Sequence, residues 1–231
     1  HDDSDLSMQT LKDDLQIVLH HVRPANCNAP LVLIGHSMGG ALAVRVAAEG
    51  TVRNIKAVVL VEASEGVAQQ AFDSTLSYLS DRPSRFESIE AAVDWALASG
   101  LIRNKQSAAI SLPPMLVPAT AAAPTATEVV WRTHLSGTSD LWPDWFRGVS
   151  RHFLELKCGK MAIVSHNNRL DKDLVIGHMQ GVFQLEIVPP PSSPPHVQCW
   201  EGGGHFVHED NAEGVASMII HFLAGTILRT S

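Results

Sequence analysis

An α/β domain built on a mainly parallel sheet is predicted by three observations. Short, unbroken apolar runs recur along the 231 residues, amphipathic helical patterns separate them, and one run ends at a glycine-flanked serine that opens a helix. With 45% hydrophobic and 18% charged residues, the chain has the composition of a folded domain with a sizeable core. A formal charge of −7 argues against a nucleic-acid partner. No apolar run approaches the length of a membrane span, and no secretory pattern is visible. The three cysteines, Cys27, Cys158 and Cys199, are odd in number and widely spaced. They suggest a reducing compartment, cytoplasmic or nuclear, rather than a disulfide framework. Twelve histidines show no zinc-ligand spacing, so neither metal nor cofactor is expected.

Met8, Leu11, Leu15, Val18 and Val22 form one apolar helical stripe, with Ser4 or Ser7 as its cap. After a polar break over 24–30, Leu31-Val32-Leu33-Ile34 reads as a strand buried on both faces. Helix resumes around Ala41–Ala47, and Ala57-Val58-Val59-Leu60-Val61 is a second buried strand. Helical spacing returns at Ala68, Phe72, Leu76 and Leu79. It recurs at Ile89, Val93, Ala96 and Leu97, there opened by a Ser84-x-x-Glu87 capping box and closed by Gly100. Residues 106–130, rich in Ala, Pro and Thr, read as a lid-like excursion. Strands follow at Met161–Val164 and Leu185–Val188, then a proline-rich insertion at 189–198, and a closing helix through Val215, Met218, Ile219, Phe222 and Leu223. Residues 1–231 read as a single domain.

Gly35-His36-Ser37-Met38-Gly39-Gly40 fits G-x-S-x-G in the context that motif demands, between a buried strand and a helix. The α/β-hydrolase fold follows, with Ser37 as candidate nucleophile and the Met38 amide as candidate oxyanion donor. Gly35 and Gly39 are expected where neighbouring chain crowds the turn. A serine hydroxyl needs an imidazole to take its proton. In this fold the base follows the last strand, and Gly202-Gly203-Gly204-His205 occupies that place. His208 competes with His205. The remaining histidines considered, at positions 20, 21, 134, 166, 178 and 221, read as surface or core residues.

Two places offer a carboxylate. Glu62 lies directly beyond the second buried strand, where an unpaired charge would be costly. The loop after the third strand, where hydrolases of this fold commonly keep their acid, carries Asn168 at the usual distance, with Asp171 and Asp173 farther on. Asparagine cannot stabilise an imidazolium by charge. Glu62 is preferred, with Asp171 as its alternative.

Several blocks together resemble the protein phosphatase methylesterase family. They are 33–40 around the elbow, Ser99–Asn104, Trp145–Gly148, Arg169–Leu174, Ile176–Gly181, and His205–Asp210. They occur in the family's order. The resemblance implies hydrolysis of the methyl ester on the C-terminal leucine of the type 2A protein phosphatase catalytic subunit, and docking on that subunit. It carries the family's serine and histidine onto Ser37 and His205. It carries the acid onto Glu62, although the family has aspartate there. Met179 and Gln180 resemble a phosphatase-contacting segment, against the plainer reading of a methionine filling a core gap. Two departures stand out. The elbow comes 37 residues into the chain, whereas the fold normally places several strands and a glycine-rich oxyanion loop before it, so the sequence reads as lacking those N-terminal strands. The proline-rich insertion is foreign to the family and threatens to displace His205. Two other functions stay open: a carboxylesterase acting on a small-molecule ester, and a catalytically silent phosphatase-binding protein, which these departures and the glutamate at position 62 favour.

Overall fold

The computed structural model describes residues 5–23, 27–119, 127–188 and 204–227. Four strands form one parallel sheet: β1 (Leu31–His36), β2 (Ile55–Val61), β6 (Gly159–Val164) and β7 (Gln184–Ile187), in the order β1-β2-β6-β7. Side chains alternate across it with the two-residue period of a strand. Val58, Leu60 and Ala162 face one core, while Ala57, Val59, Val61, Met161 and Ile163 face another. Both faces are dry along most of β2 and β6, which is why those segments read as unbroken apolar runs. β1 is not buried on both faces as expected, for it lies at the edge of the described sheet and Ile34 is 52% exposed.

The first core is covered by α1 (Met8–Val22), α2 (Met38–Glu49), α6 (Trp142–Phe146), α7 (Val149–Glu155) and α8 (Lys172–Met179), with α3 (Glu65–Asp81) beside them. The second is covered by α9 (Val207–Asp210) and α10 (Ala212–Ile227). Ser7 caps α1 by accepting the Thr10 amide. The stripe of α1 differs from the expected one in its last turns. Met8 and Leu19 are buried, whereas Val18 and Val22 are exposed. A step of four from Leu15 follows the helical pitch more closely than a step of three here.

Between α3 and α6 the chain builds a second, antiparallel sheet of β3 (Arg85–Phe86), β5 (Val129–Trp131) and β4 (Leu116–Pro118). With α4 (Ile89–Ala98) and α5 (Lys105–Ser111), it encloses a separate core of Phe86, Ala92, Ala96, Leu112, Leu116, Val129 and Trp131. Two expectations are corrected here. Residues 106–130 are not wholly loop, since α5, β4 and the start of β5 lie within them; residues 120–126 fall outside the described part. The cap of α4 is Ser88, which accepts the Ala91 amide, while Ser84 and Glu87 flank β3. Pairing of Arg85 and Phe86 with Val130 and Val129 holds that segment extended, so the helix starts later. The insertion at 189–198 lies outside the described residues. Among the described residues no helix is long and apolar enough to cross a membrane.

Candidate active site

The carboxyl ends of β1, β2 and β6 stand level, with His36 opposite Val61 and Val61 opposite Ile163. Ligands of open α/β sheets bind at this edge. The ladder runs one residue further: Ser37 N donates to Val61 O and Glu62 N to Ile163 O, each at 2.9 Å. Both residues then turn with φ of 51°, a left-handed value that costs any side-chain-bearing residue energy. The turn at Ser37 closes only because Gly35 lacks a side chain: a Cβ there would lie 2.2 Å from Gly39 O. A Cβ on Gly40 would lie 2.9 Å from the Ala63 methyl. At Gly39 nothing lies within 4 Å, so the crowded partner of Gly35 is Gly40, whose missing side chain faces the strand ends. Ser37 is half-buried at the head of α2, and its hydroxyl has no hydrogen-bond partner among the described residues. The Met38 amide sits in the first turn of α2, where N–H groups lack partners within the helix and carry positive potential.

Glu62 is brought to His205. Its side chain is fully out of solvent and receives the Ser165 amide on Oε1 and Arg169 Nε on Oε2, the latter at 2.8 Å. His205 Nδ1 lies 3.7 Å from the same Oε2, leaving Nε2 for other partners. Burial alone would raise the Glu62 carboxyl, but His205, Arg169 and the Ser165 amide outweigh it and hold it down at about 2. The insertion before it has not carried His205 away from the acid.

Asp171, the alternative acid, is committed elsewhere. It caps α8 by accepting Leu174 N at 3.1 Å, and its other oxygen accepts Gly66 N at 3.1 Å and Ser150 Oγ at 2.5 Å. Gly66 makes that approach possible, since a Cβ there would lie 2.8 Å from Asp171 Cβ. Asn168 lies in a short 3₁₀ turn, Asn167–Arg169, and Asp173 is exposed. His208 packs on His36, with ring centroids 4.4 Å apart, and its Nε2 faces Glu209, not Glu62. Met179 is 82% exposed at the end of α8, which removes the reading that it fills a core gap; Gln180 beside it is exposed too. Among the described residues no hydrogen bond ties either to Ser37, Glu62 or His205, and no group of three or more His, Cys, Asp or Glu side chains could hold a metal.

Two residues of the site escaped the sequence reading. His36, inside the elbow motif, donates from Nε2 to the His205 carbonyl at 2.8 Å and packs against its ring in a tilted arrangement, centroids 4.5 Å apart. Burial, then the imidazoles of His205 and His208, push its pKa down to about 3, so it is neutral and serves as a strut. Its place directly before the serine was the available signal. Arg169 was visible only as part of a family block. The loop of His205 is also tied to the smaller sheet's helices: Asp210 accepts the Arg103 amide at 2.7 Å, and Ser107 and Ser111 bond Glu209. Gly204 lies against the same contact: a Cβ there would lie 2.2 Å from Asp210 Oδ2, so a larger residue would push that carboxylate aside.

A family model described as the Alpha/beta hydrolase family matches residues 1–218. The chain belongs to that family. It is 38% identical over 221 residues to a protein of Schizosaccharomyces pombe named Protein phosphatase methylesterase 1, covering 95% of this chain and 60% of that one. It is 39% identical over 222 residues to the protein of the same name from Aspergillus fumigatus, covering 94% of this chain and 50% of that one. The chain thus spans about half to three-fifths of the length of these curated relatives. Among solved structures, an E-2-(acetamidomethylene)succinate hydrolase superposes with a TM-score of 0.70 at 14% identity, covering 95% of this chain and 75% of that one. An esterase from Mycobacterium tuberculosis superposes with a TM-score of 0.64 at 19% identity, covering 96% and 69%. At such identities these two speak to the fold alone.

Proposed function

We propose that this chain is a serine carboxylesterase that removes the methyl ester from the C-terminal leucine of the type 2A protein phosphatase catalytic subunit, and that it docks on that subunit. The observation that carries the hydrolytic half is the delivery of Glu62 to Nδ1 of His205, one strand from the strained serine at the head of α2. The names of the relatives support a protein phosphatase methyl ester as substrate. The type 2A catalytic subunit and its C-terminal leucine rest on the resemblance of the sequence blocks alone.

In the proposed reaction Ser37 Oγ attacks the ester carbonyl while Nε2 of His205 takes its proton. The Met38 amide and the positive end of α2 stabilise the oxyanion, and Glu62 stabilises the imidazolium. The tetrahedral adduct expels methoxide, which takes the proton from His205 and leaves as methanol. Water, deprotonated by His205, then cleaves the acyl-serine bond and frees the leucine carboxylate and Ser37. A methyl ester makes few demands on the acyl pocket, so selectivity rests on protein docking. The exposed face of α8 that carries Val175, Ile176, Met179 and Gln180 is the surface proposed for it. A cytoplasmic or nuclear location belongs to the same proposal.

The test pairs two substrates with one probe. Wild-type chain should release methanol from a methylated phosphatase tail and react with a fluorophosphonate at Ser37, and Ser37→Ala should do neither. Demethylation that survives Ser37→Ala would remove the mechanism. Labelling together with hydrolysis of small esters, but no action on the phosphatase, would leave a small-molecule esterase.

A further inference from the structure

His205 has little local structure to hold it. It sits in a turn directly before α9, a helix of four residues, and so short a helix is not stable by itself. The sheet grips the loop from one side: Val207 is buried in the second core, and His36 Nε2 donates to the His205 carbonyl at 2.8 Å. The far end of α9 is gripped by a different part of the chain. Ser107 Oγ donates to Glu209 O at 2.7 Å, Ser111 Oγ to Glu209 Oε2 at 2.9 Å, and the Arg103 amide to Asp210 Oδ1 at 2.7 Å.

The two serines lie four residues apart on α5, and so on one face of it. A serine inside a helix usually turns its hydroxyl back onto a carbonyl of the preceding turn. Ser74 and Ser80 of α3 do so, bonding Ala71 O and Leu76 O, and Ser99 bonds Ala96 O at the end of α4. Ser107 and Ser111 instead send theirs across to α9. Ala108 and Leu112, one residue on from each, are fully buried, and Leu112 belongs to the core of the smaller sheet. One flank of α5 is thus fixed to that core while the other holds Glu209. Glu209 stands four residues from His205, about one helical turn, so slack at one end of the loop reaches the ring at the other.

We propose that Ser107 and Ser111 are positioning residues for the base: they fix α9 and, through it, set where His205 stands. The proposal rests on the hydrolytic reading of Ser37 and His205. Neither serine touches substrate or the reacting atoms. Each acts through Glu209, so the smaller sheet, which the proposed reaction does not otherwise use, takes part in catalysis as a mount for the loop.

The experiment compares Ser107→Ala/Ser111→Ala with Ser107→Thr/Ser111→Thr, which keeps both hydroxyls, in the full chain. With a short-chain aryl ester the alanine pair should lose about tenfold in kcat at unchanged KM, because a small misplacement of a catalytic group costs at least that much. It should label with a fluorophosphonate more slowly by the same factor. The His205 ring signals in nitrogen-15 NMR of histidine-labelled protein, assigned by their loss in His205→Asn, should move or broaden. The threonine pair should match wild type in all of these. Wild-type rates in a folded alanine pair overturn the proposal, and so does a loss of rate with an unmoved His205 signal. A threonine pair that loses as much as the alanine pair overturns it too, for packing and not the bonds would then matter. Ser111→Ala alone removes one bond at a half-buried position and carries the test if the pair does not fold. A loss of about two- to threefold supports the proposal there, and a wild-type rate overturns it. A wild type that does not label sinks the hydrolytic reading instead, and the His205 signal of the variants then decides by itself whether α5 holds the loop.

Discussion

Ser37 and Glu62 sit one strand apart at the same level of the sheet, each with φ of 51°, yet their surroundings are opposite. The bend at Ser37 opens onto the head of α2 and leaves a half-buried alcohol without a partner among the described residues. The bend at Glu62 faces the end of β6 and drives a carboxylate wholly out of solvent, where an amide and a guanidinium receive it. The same backbone strain thus serves two purposes. Where the turn meets a helix terminus it leaves a hydroxyl open, and where it meets a neighbouring strand end it fixes a carboxylate beside His205.

That contrast can be broken from either side. Ser37→Ala should lower kcat for ester hydrolysis by ~10⁶, and Glu62→Gln by ~10⁴, because a neutral amide keeps the shape but not the charge. Steady-state rates of the two purified variants check the ranking; equal losses would mean that Glu62 does more than support the base. In stability the order reverses, since only Glu62 is a buried charge. Its folded carboxyl titrates at about 2 against an ordinary 4.5, so the unfolded chain binds the proton first as pH falls. Its stabilisation is complete above 4.5, is lost toward 2, and amounts to about 3 kcal/mol. His36, lowered to about 3 from 6.5, acts in the same direction over a higher window, full above 6.5 and lost toward 3. Denaturant midpoints should therefore fall from pH 7 to 5 in the wild type, and fall less in His36→Gln.

The glycines around the serine sharpen the comparison. Gly35→Ala places a methyl against the Gly39 carbonyl and should cost about 3 kcal/mol or more. Asp171→Ala, which removes a helix cap and two further bonds, should cost about 2 kcal/mol while leaving the chemistry of Ser37 within a factor of ten. Gly39→Ala meets nothing within 4 Å and should change stability by less than about 1 kcal/mol, in the stabilising direction. Thermal or urea unfolding of the three variants tests that order.

The amino-acid sequence by itself determined the four strands of the parallel sheet, most of the helices, the elbow and the order serine, acid, histidine, but not the three strands of the smaller sheet. Each of these is written in local pattern or in short-range sterics: an unbroken apolar run of strand length, a stripe at helical pitch, a glycine that no larger residue can replace. Met8–Val22, Leu31–His36 and Ile55–Val61 were legible for that reason. Only the tertiary structure put Glu62 rather than Asp171 beside His205, for in sequence both are carboxylates beyond a strand end. What separates them is whether the oxygens are already taken by Gly66, Ser150 and Leu174, from three distant parts of the chain. The roles of His36 and Arg169 and the later start of α4 also depended on partners far away in sequence. Hydrogen bonds of that kind leave no trace in local spacing, since they form only once the strands have placed their ends side by side.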